Sequence, residues 1–319
     1  TMQLDYEAIS LDRKMLIGSY CTMEYAIESA AIFNPSIIED FDQTGLEMGE
    51  KRVIISFRAT GEGHISSIVF RRAILDRNNN LQVMKIGHHI DKAEIEHKTL
   101  YNKERFLMKL YEMHTDDKYI AQVMQELPDE FEYAVLKSMV KTSLSDPSIG
   151  QERRTALEEI IWLANSFYDL SFKHDSDITE RVIFPISESE SRGIEDARFV
   201  RFDDDHDDSH RVMATYTAYN GHTILPKLIS TEDFYTFRVM PLHGIGAQNK
   251  NLALFPRKIK GKYAMLSRID GVNNYIMYSD RVTQWNTPIL LQEPRFAWEF
   301  TQIGNCGSPL WTTEGWLVI

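Results

Sequence analysis

Arg211-Val212-Met213-Ala214-Thr215-Tyr216-Thr217-Ala218 is an apolar strand entered from a polar turn. The same unit returns as Gly261-Lys262-Tyr263-Ala264-Met265-Leu266-Ser267-Arg268 and as Gly315-Trp316-Leu317-Val318-Ile319. One strand type recurring every ~45 residues suits propeller blades better than a sandwich. Further strand signals lie around these units at Thr223–Ser230, Phe234–Met240, Leu252–Lys258, Tyr275–Ser279, Pro288–Leu291, Glu299–Ile303 and Pro309–Thr312. Upstream, Arg52–Arg58, Ile65–Arg71 and Leu81–Ile86 read the same way, separated by turns such as Gly61-Glu62-Gly63 and Asp76-Arg77-Asn78-Asn79-Asn80.

The stretch between these β-segments has a different period. Lys98–Met113, Asp129–Met139 and Glu152–Ala164 carry apolar residues three and four apart, the spacing of one helix face. The expected organisation is therefore a helical or mixed leader at 1–30, a first blade region at 31–90, a helical insertion at 91–177 and the remaining blades at 178–319. The fold class is mainly β, a five-bladed β-propeller with a helical leader and a helical insertion. The chain stops inside the Gly315–Ile319 strand, so the last blade is expected to be incomplete, and the Thr before Met2 reads as an added residue. Ile160, Ile161, Leu163 and Phe167 give the helices more apolar surface than an isolated insertion needs. They are expected to pack on the propeller or on a second subunit, with a homo-oligomer favoured.

Composition narrows the function. A net charge of −12 and a pI near 5.3 argue against nucleic acid as partner. No apolar run approaches the ~20 residues of a membrane span. Cys21 and Cys306 are the two cysteines, which excludes a disulfide scaffold and suits reduced thiols in a cytoplasmic protein. The residues contain no GxSxG, HExxH, Cys/His zinc spacing or GxxxxGK[ST], so serine-hydrolase, zincin and P-loop chemistry have no support and no metal is expected. The run Asp203-Asp204-Asp205-His206-Asp207-Asp208-Ser209-His210 lacks the glycine and spacing of a calcium loop and reads as a hairpin tip.

Gly193-Ile194-Glu195-Asp196-Ala197-Arg198 is the segment that points to chemistry. It follows the apolar run Arg181–Ile186 and leads into Phe199-Val200-Arg201-Phe202, so two carboxylates and a guanidinium stand at a strand entrance. Charges beside apolar strands carry a desolvation cost and are usually paired or used. Four other polar clusters interrupt strands in the same way. They are Asn34-Pro35-Ser36 with Arg58, Lys250-Asn251, Arg268 with Asp270, and Gly304-Asn305-Cys306-Gly307-Ser308-Pro309. In a propeller such strand ends gather at one mouth. His64, His222 and His243 lie in turns, where a surface or hydrogen-bonded histidine is the default, although His222 is placed to line a sugar pocket.

Ile32–Ser36, Gly193–Arg198, Tyr216–Tyr219, Asn251–Lys258, Gly261–Arg268 and Gly307–Pro309 followed by Glu314–Leu317 together resemble glycoside hydrolase family 130. The resemblance covers about residues 32–90 and 178–319 and leaves the helical insertion aside. It implies a five-bladed propeller acting on β-mannosides, mostly as a phosphorylase and in some members as a β-mannosidase. By the same resemblance Asp196 is the catalytic acid. Asn34, Ser36 and Arg58 lie where mannose is held, with Glu195, Arg198, His222 and Asp270 as further substrate contacts. Lys250, Asn251 and Arg268 lie where phosphate is held. Trp311 stands where many of the phosphorylases place a lysine. The implied reaction is inverting phosphorolysis of β-1,2- or β-1,4-linked manno-oligosaccharides to mannose 1-phosphate, with phosphate as co-substrate and no cofactor. An inverting β-mannosidase is the alternative, with Glu293 or Glu299 as loose candidates for its base. A non-catalytic sugar-binding propeller is the third reading.

Overall fold

The computed structural model describes residues 9–21, 26–87, 89–97, 100–113, 117–204 and 207–319. It is mainly β, with five α-helices among the described residues. The first sheet runs in the order Ala31–Glu39, Lys51–Thr60, Ser66–Leu75, Arg181–Ile183, Asp91–Lys92, with Leu81–Val83 also paired to Ser66–Leu75. The second runs Ile194–Asp204, Asp207–Tyr219, Ile224–Thr231, Thr236–Pro241, Tyr168–Ser171, Glu94–Glu96. The third runs Ala253–Leu254, Tyr263–Ser267, Asn274–Ser279, Pro288–Gln292, and a separate hairpin pairs Leu310–Thr312 with Gly315–Leu317. A further two-stranded sheet pairs Leu100–Asn102 with Glu130–Glu132 inside the segment expected to be helical. Three larger sheets and two two-stranded ones are thus present among the described residues, and the topology does not by itself count five blades.

Inside the first sheet, Lys51–Thr60 is buried continuously from Val53 to Ser56 rather than on alternate residues. A strand covered on both faces reads as an unbroken apolar run, as Val53-Ile54-Ile55 does here. The first two sheets share one core, where Phe70 meets Phe199 edge-on at 5.7 Å and lies against Phe234 and Phe237. The third sheet packs on the second through Met213, Leu228, Leu254, Met265 and the fully buried Trp285, whose indole N–H donates to the Val282 carbonyl at 2.8 Å.

The helices follow α1 (Leu11–Cys21) as α2 (Lys103–Glu112), α3 (Asp117–Gln125), α4 (Tyr133–Leu144) and α5 (Gln151–Ala164). Their apolar stripes close on one another around Leu110, Leu136, Leu157, Ile160 and Leu163. Trp162 packs against both this cluster and the core of the first two sheets. The strands on either side of the helices are sewn into both sheets: Glu94–Glu96 and Tyr168–Ser171 join the second, and Asp91–Lys92 and Arg181–Ile183 join the first.

Two strand expectations need correction. Glu299–Ile303 is not a strand, because Ala297–Glu299 forms a short 3-10 turn in which the Glu299 carboxylate accepts from the amides of Arg295 and Phe296 at 2.7 and 3.0 Å. The strand expected over Leu252–Lys258 is confined to Ala253–Leu254, since Pro256 brings no N–H to a ladder. In the acidic run, Asp204 and Asp207 face each other across a hairpin, and Asp205 and His206 lie outside the described residues.

Candidate active site

Asp196 lies two residues into the strand Ile194–Asp204, where the pairing with Asp207–Tyr219 slips between Glu195 and Arg198. It has φ 53°, in the left-handed region that non-glycine residues other than Asn and Asp seldom enter. Asn34 (φ 51°) and Asn251 (φ 70°) share that conformation, and Asn34 sits at the slip between Phe33 and Ser36 in the strand Ala31–Glu39. Three such residues near one another represent backbone strain of about 1 kcal/mol or more each, a cost that recurs at functional sites. Gly193, with φ 121°, permits the close approach behind this bulge, since a Cβ there would stand 2.9 Å from the Ser66 backbone nitrogen. Ser66 in turn donates to the Ile194 carbonyl at 2.8 Å, joining the first sheet to the second.

The bulge turns neighbouring side chains to opposite partners. Glu195 accepts from Arg58 at 2.9 Å through one oxygen and from Lys250 at 2.6 Å through the other. Burial pushes the Glu195 carboxyl up, but the Lys250 and Arg58 hydrogen bonds and charges outweigh it and hold it below the usual range. Arg58 also lies over the Phe33 ring at 4.9 Å, and the Lys250 ammonium lies 6.0 Å from the Tyr219 ring centre.

Arg198 hydrogen-bonds the buried Asn305 side-chain oxygen, and Asn305 donates to the Asn251 carbonyl at 3.0 Å. Burial pulls the Arg198 guanidinium below its ordinary value; Asp196 and Cys306 oppose this, and Arg268 adds to it. Gly304 lets Arg268 and Asn251 meet this loop, because a Cβ at 304 would come within 2.4 Å of the Asn251 amide and 3.3 Å of the Arg268 guanidinium. The Nε atoms of Arg58 and Arg268 are buried without a hydrogen-bond partner among the described residues. Asp196 itself is half-buried, with no side-chain hydrogen bond among them.

A cavity of about 610 Å³ opens beside this cluster, walled by Asn34, Ser36, Asp196, Arg198, Ser308 and Trp311 among others. Ser36 braces the wall: its hydroxyl accepts from the Phe199 amide at 2.8 Å and donates to the Phe199 carbonyl at 3.3 Å. Trp311 lies edge-on to Trp316 at 5.0 Å, with the Arg257 guanidinium over its ring at 4.6 Å.

Nine of the residues singled out from sequence therefore meet around one bulge, namely Asn34, Ser36, Arg58, Glu195, Asp196, Arg198, Lys250, Asn251 and Arg268. Asp270 is not drawn in. Its carboxylate accepts from the amides of Val272 and Asn273 at 2.9 and 2.8 Å and from the Tyr275 hydroxyl at 2.8 Å, fixing its own turn. His222 is exposed on the 220–223 turn, where its amide donates to the Asn220 side chain at 2.9 Å. Asn305 was not singled out individually, and its signal is faint: one amide within a Gly-rich polar turn.

The depressed Glu195 carboxyl has a testable sign. A group whose folded value lies below its unfolded value stabilises the fold above the unfolded value, and that contribution is lost as pH falls through the folded value. The stability difference between wild type and Glu195→Gln, followed by thermal melting, is expected to be constant near neutrality. It should shrink once pH falls below the ordinary carboxylate range near ~4. A difference independent of pH down to acid unfolding would mean that Glu195 is not held as an ion.

The family model of glycoside hydrolase family 130, described as beta-1,4-mannooligosaccharide phosphorylase, matches residues 153–319, just over half of the chain. A 1,2-beta-oligomannan phosphorylase of Thermoanaerobacter sp. (strain X514) is 41% identical over 73 residues, 22% of this chain and 24% of that protein. A beta-1,4-mannooligosaccharide phosphorylase of Ruminococcus albus is 39% identical over 75 residues, covering 22% of each. The solved structure of beta-1,2-mannobiose phosphorylase from Listeria innocua with beta-1,2-mannobiose superposes with a TM-score of 0.39 at 18% identity, over 90% of this chain and 66% of that one. The chain thus aligns with about a quarter of the length of those two curated relatives. By the match over residues 153–319, the chain belongs to glycoside hydrolase family 130.

Proposed function

We propose that the chain carries the catalytic part of an inverting β-mannoside phosphorylase, with Asp196 as general acid. The observation that carries this reading is the charge arrangement at the bulge. Asp196 is a half-buried carboxylate without a hydrogen-bond partner of its own among the described residues. It interacts electrostatically with Arg198, which Arg268 also approaches, while the adjacent Glu195 is held by Arg58 and Lys250. In a protein of net charge −12 such a concentration of positive charge is a local exception that suits an anionic co-substrate.

The chemistry follows from those roles. Asp196 donates its proton to the glycosidic oxygen as the bond to the mannose C1 breaks, and a phosphate oxygen forms the new bond at C1 from the opposite face. The products are the shortened sugar and α-mannose 1-phosphate, inverted from the β linkage. Phosphate is already a charged nucleophile, so no second carboxylate is needed as base. The protein's task is to hold it, at about 1.5–3 kcal/mol per charge-assisted hydrogen bond. The names of the relatives support both β-1,2- and β-1,4-linked substrates.

Inverting hydrolysis would need a base to activate water. Glu195 is neutralised between Arg58 and Lys250, Glu299 caps its own 3-10 turn, and Glu293 is exposed. One observation favours the hydrolase nonetheless: Trp311, an uncharged ring, stands in the cavity wall.

For the architecture, the three larger sheets are read as successive blades of one five-bladed propeller, the hairpin 310–317 as part of another and 91–177 as an insertion. This reading is supported by the strands 31–39 and 194–204 and the 306–311 segment facing a common cavity, as blade-lining strands do around an axis.

Arg268→Ala is expected to raise the phosphate KM by roughly 10- to 100-fold, the worth of one charge-assisted contact, with a much smaller change in the mannobiose KM. Steady-state kinetics with phosphate varied at saturating mannobiose measures this. An unchanged phosphate KM would remove Arg268 from the phosphate site.

A further inference from the structure

A second cavity, also of about 610 Å³, lies between the helices and the second sheet. Its helical wall is formed by Met113, Thr155, Glu158, Glu159 and Trp162, and its far wall by Glu188, Asn220, the 223–226 segment, Ala247 and Gln248. The two cavities have no described lining residue in common, but their walls are built on linked loops. Asn220 directly follows Tyr219, whose ring faces the Lys250 ammonium, and Gln248 precedes Lys250 by two positions.

The wall is held rigid. Glu112 at the end of α2 accepts from the Gly244 amide at 2.7 Å and pairs with the buried Lys109 at 3.2 Å, so α2 is pinned to the loop that carries Gln248. Trp162 is held by packing against both adjoining cores. Within this wall the Glu159 Oε2 atom is shielded from solvent and has no hydrogen-bond partner among the described residues. Glu159 as a whole is half-buried and lines the cavity, where its carboxylate stands as an acceptor for a donor on a bound molecule.

The lining defines the chemistry of that molecule. Several carboxylates repel an anion, so this is not a second phosphate site. The ammonium of Lys109, buried among them, disfavours a metal cation. Carboxylates, amides and a threonine hydroxyl beside an indole suit a neutral ligand rich in hydroxyls with an apolar ring face. Resting on the proposed β-mannoside reading, we infer that this cavity is a distal subsite for the far end of an oligosaccharide, so that the helical segment sets chain-length preference. Glu159 accepts a sugar hydroxyl, Gln248 and Asn220 bridge to the next one, and Trp162 carries a pyranose face.

Unlabelled β-linked mannobiose and mannotetraose are titrated calorimetrically into the Asp196→Asn protein, where turnover does not intrude. The same is done with Glu159→Gln or Gln248→Ala added. The tetramer should bind about tenfold more tightly than the dimer, the worth of one or two further hydrogen bonds. Either added substitution should bring that ratio close to one. Gln248→Ala removes an amide at the rim, away from the helical core, and keeps the test valid if Glu159→Gln fails to fold. Equal tetramer preference with and without the added substitutions would overturn the subsite. So would a dimer and tetramer bound equally by the Asp196→Asn parent. If the otherwise unsubstituted protein neither binds nor cleaves β-mannosides, the functional reading itself falls, and the subsite with it.

Discussion

Asp196→Asn is expected to lower turnover of β-linked mannobiose by at least ~100-fold, the lower end of what a positioned general acid contributes. Asparagine keeps the size of the side chain and tolerates φ 53°, so the bulge and the fold should survive. What disappears is the transferable proton, and the glycosidic oxygen must leave as an alkoxide. Because the loss is confined to the chemical step, kcat should fall while the mannobiose affinity measured calorimetrically changes by a small factor. Near-normal kcat in a folded Asp196→Asn protein would reject the assignment. A parallel loss of thermal stability would instead mark Asp196 as a structural residue of the bulge.

The second large effect concerns stability. Glu190 and Lys227 form an ion pair at 2.7 Å with both side chains fully buried. Glu190 also accepts from the Tyr168 and Tyr216 hydroxyls at 2.8 and 2.7 Å and from the amides of Ile186 and Ser187 at 2.9 and 3.1 Å. Burial pushes the Glu190 carboxyl up, yet Lys227 and these donors hold it below its ordinary value, so it stays ionised. Burial pulls Lys227 down while Glu190 opposes it, and both tyrosines are driven up by burial and by the Glu190 charge. Lys227→Met removes one charge and strands the other, which costs about 3–5 kcal/mol for buried pairs. Urea denaturation should show that loss, with a substantial part recovered in Lys227→Met combined with Glu190→Gln. A single-variant loss below about 1 kcal/mol would mean that the pair is open to water. The same network supports the site, since the Glu190 carbonyl accepts from Gly193 at 2.7 Å, three residues before Asp196.

Much of the fold was legible because strand periodicity and turn chemistry are local. The units at 211–218 and 261–268 became central strands of the second and third sheets, and α5 fell where the apolar spacing of 152–164 put it. The helix Asp117–Gln125 also carries that spacing, in Ile120, Val123 and Met124, but over a short stretch between two better marked helical segments. Glu299–Ile303 misled because Phe300, Thr301 and Ile303 are good strand formers, while the Glu299 carboxylate captures the amides of Arg295 and Phe296 just ahead of it.

The site was legible as a list of residues and less so as an arrangement. Asp196 stood out because charges at an apolar strand entrance are costly. That Arg58 and Lys250 share Glu195 depends on contacts 137 and 55 residues apart along the chain, for which local pattern holds no signal. Asp270 shows the opposite error: beside Gly271 and ahead of Asn273 it is a turn former first, and its oxygens are used there. Glu190 was hidden in Ser187-Glu188-Ser189-Glu190-Ser191, which reads as a solvated loop. The available clue lay elsewhere, in a lysine at 227 set inside the apolar run Ile224-Leu225-Pro226-Lys227-Leu228.

The most direct test of the account is the product of β-linked mannobiose cleavage in phosphate-free buffer and in buffer containing inorganic phosphate. The account predicts α-mannose 1-phosphate and one free mannose per bond cleaved in the presence of phosphate, and no appreciable cleavage without it. Two free mannose molecules per bond, released at equal rates in both buffers, would contradict it and identify a hydrolase.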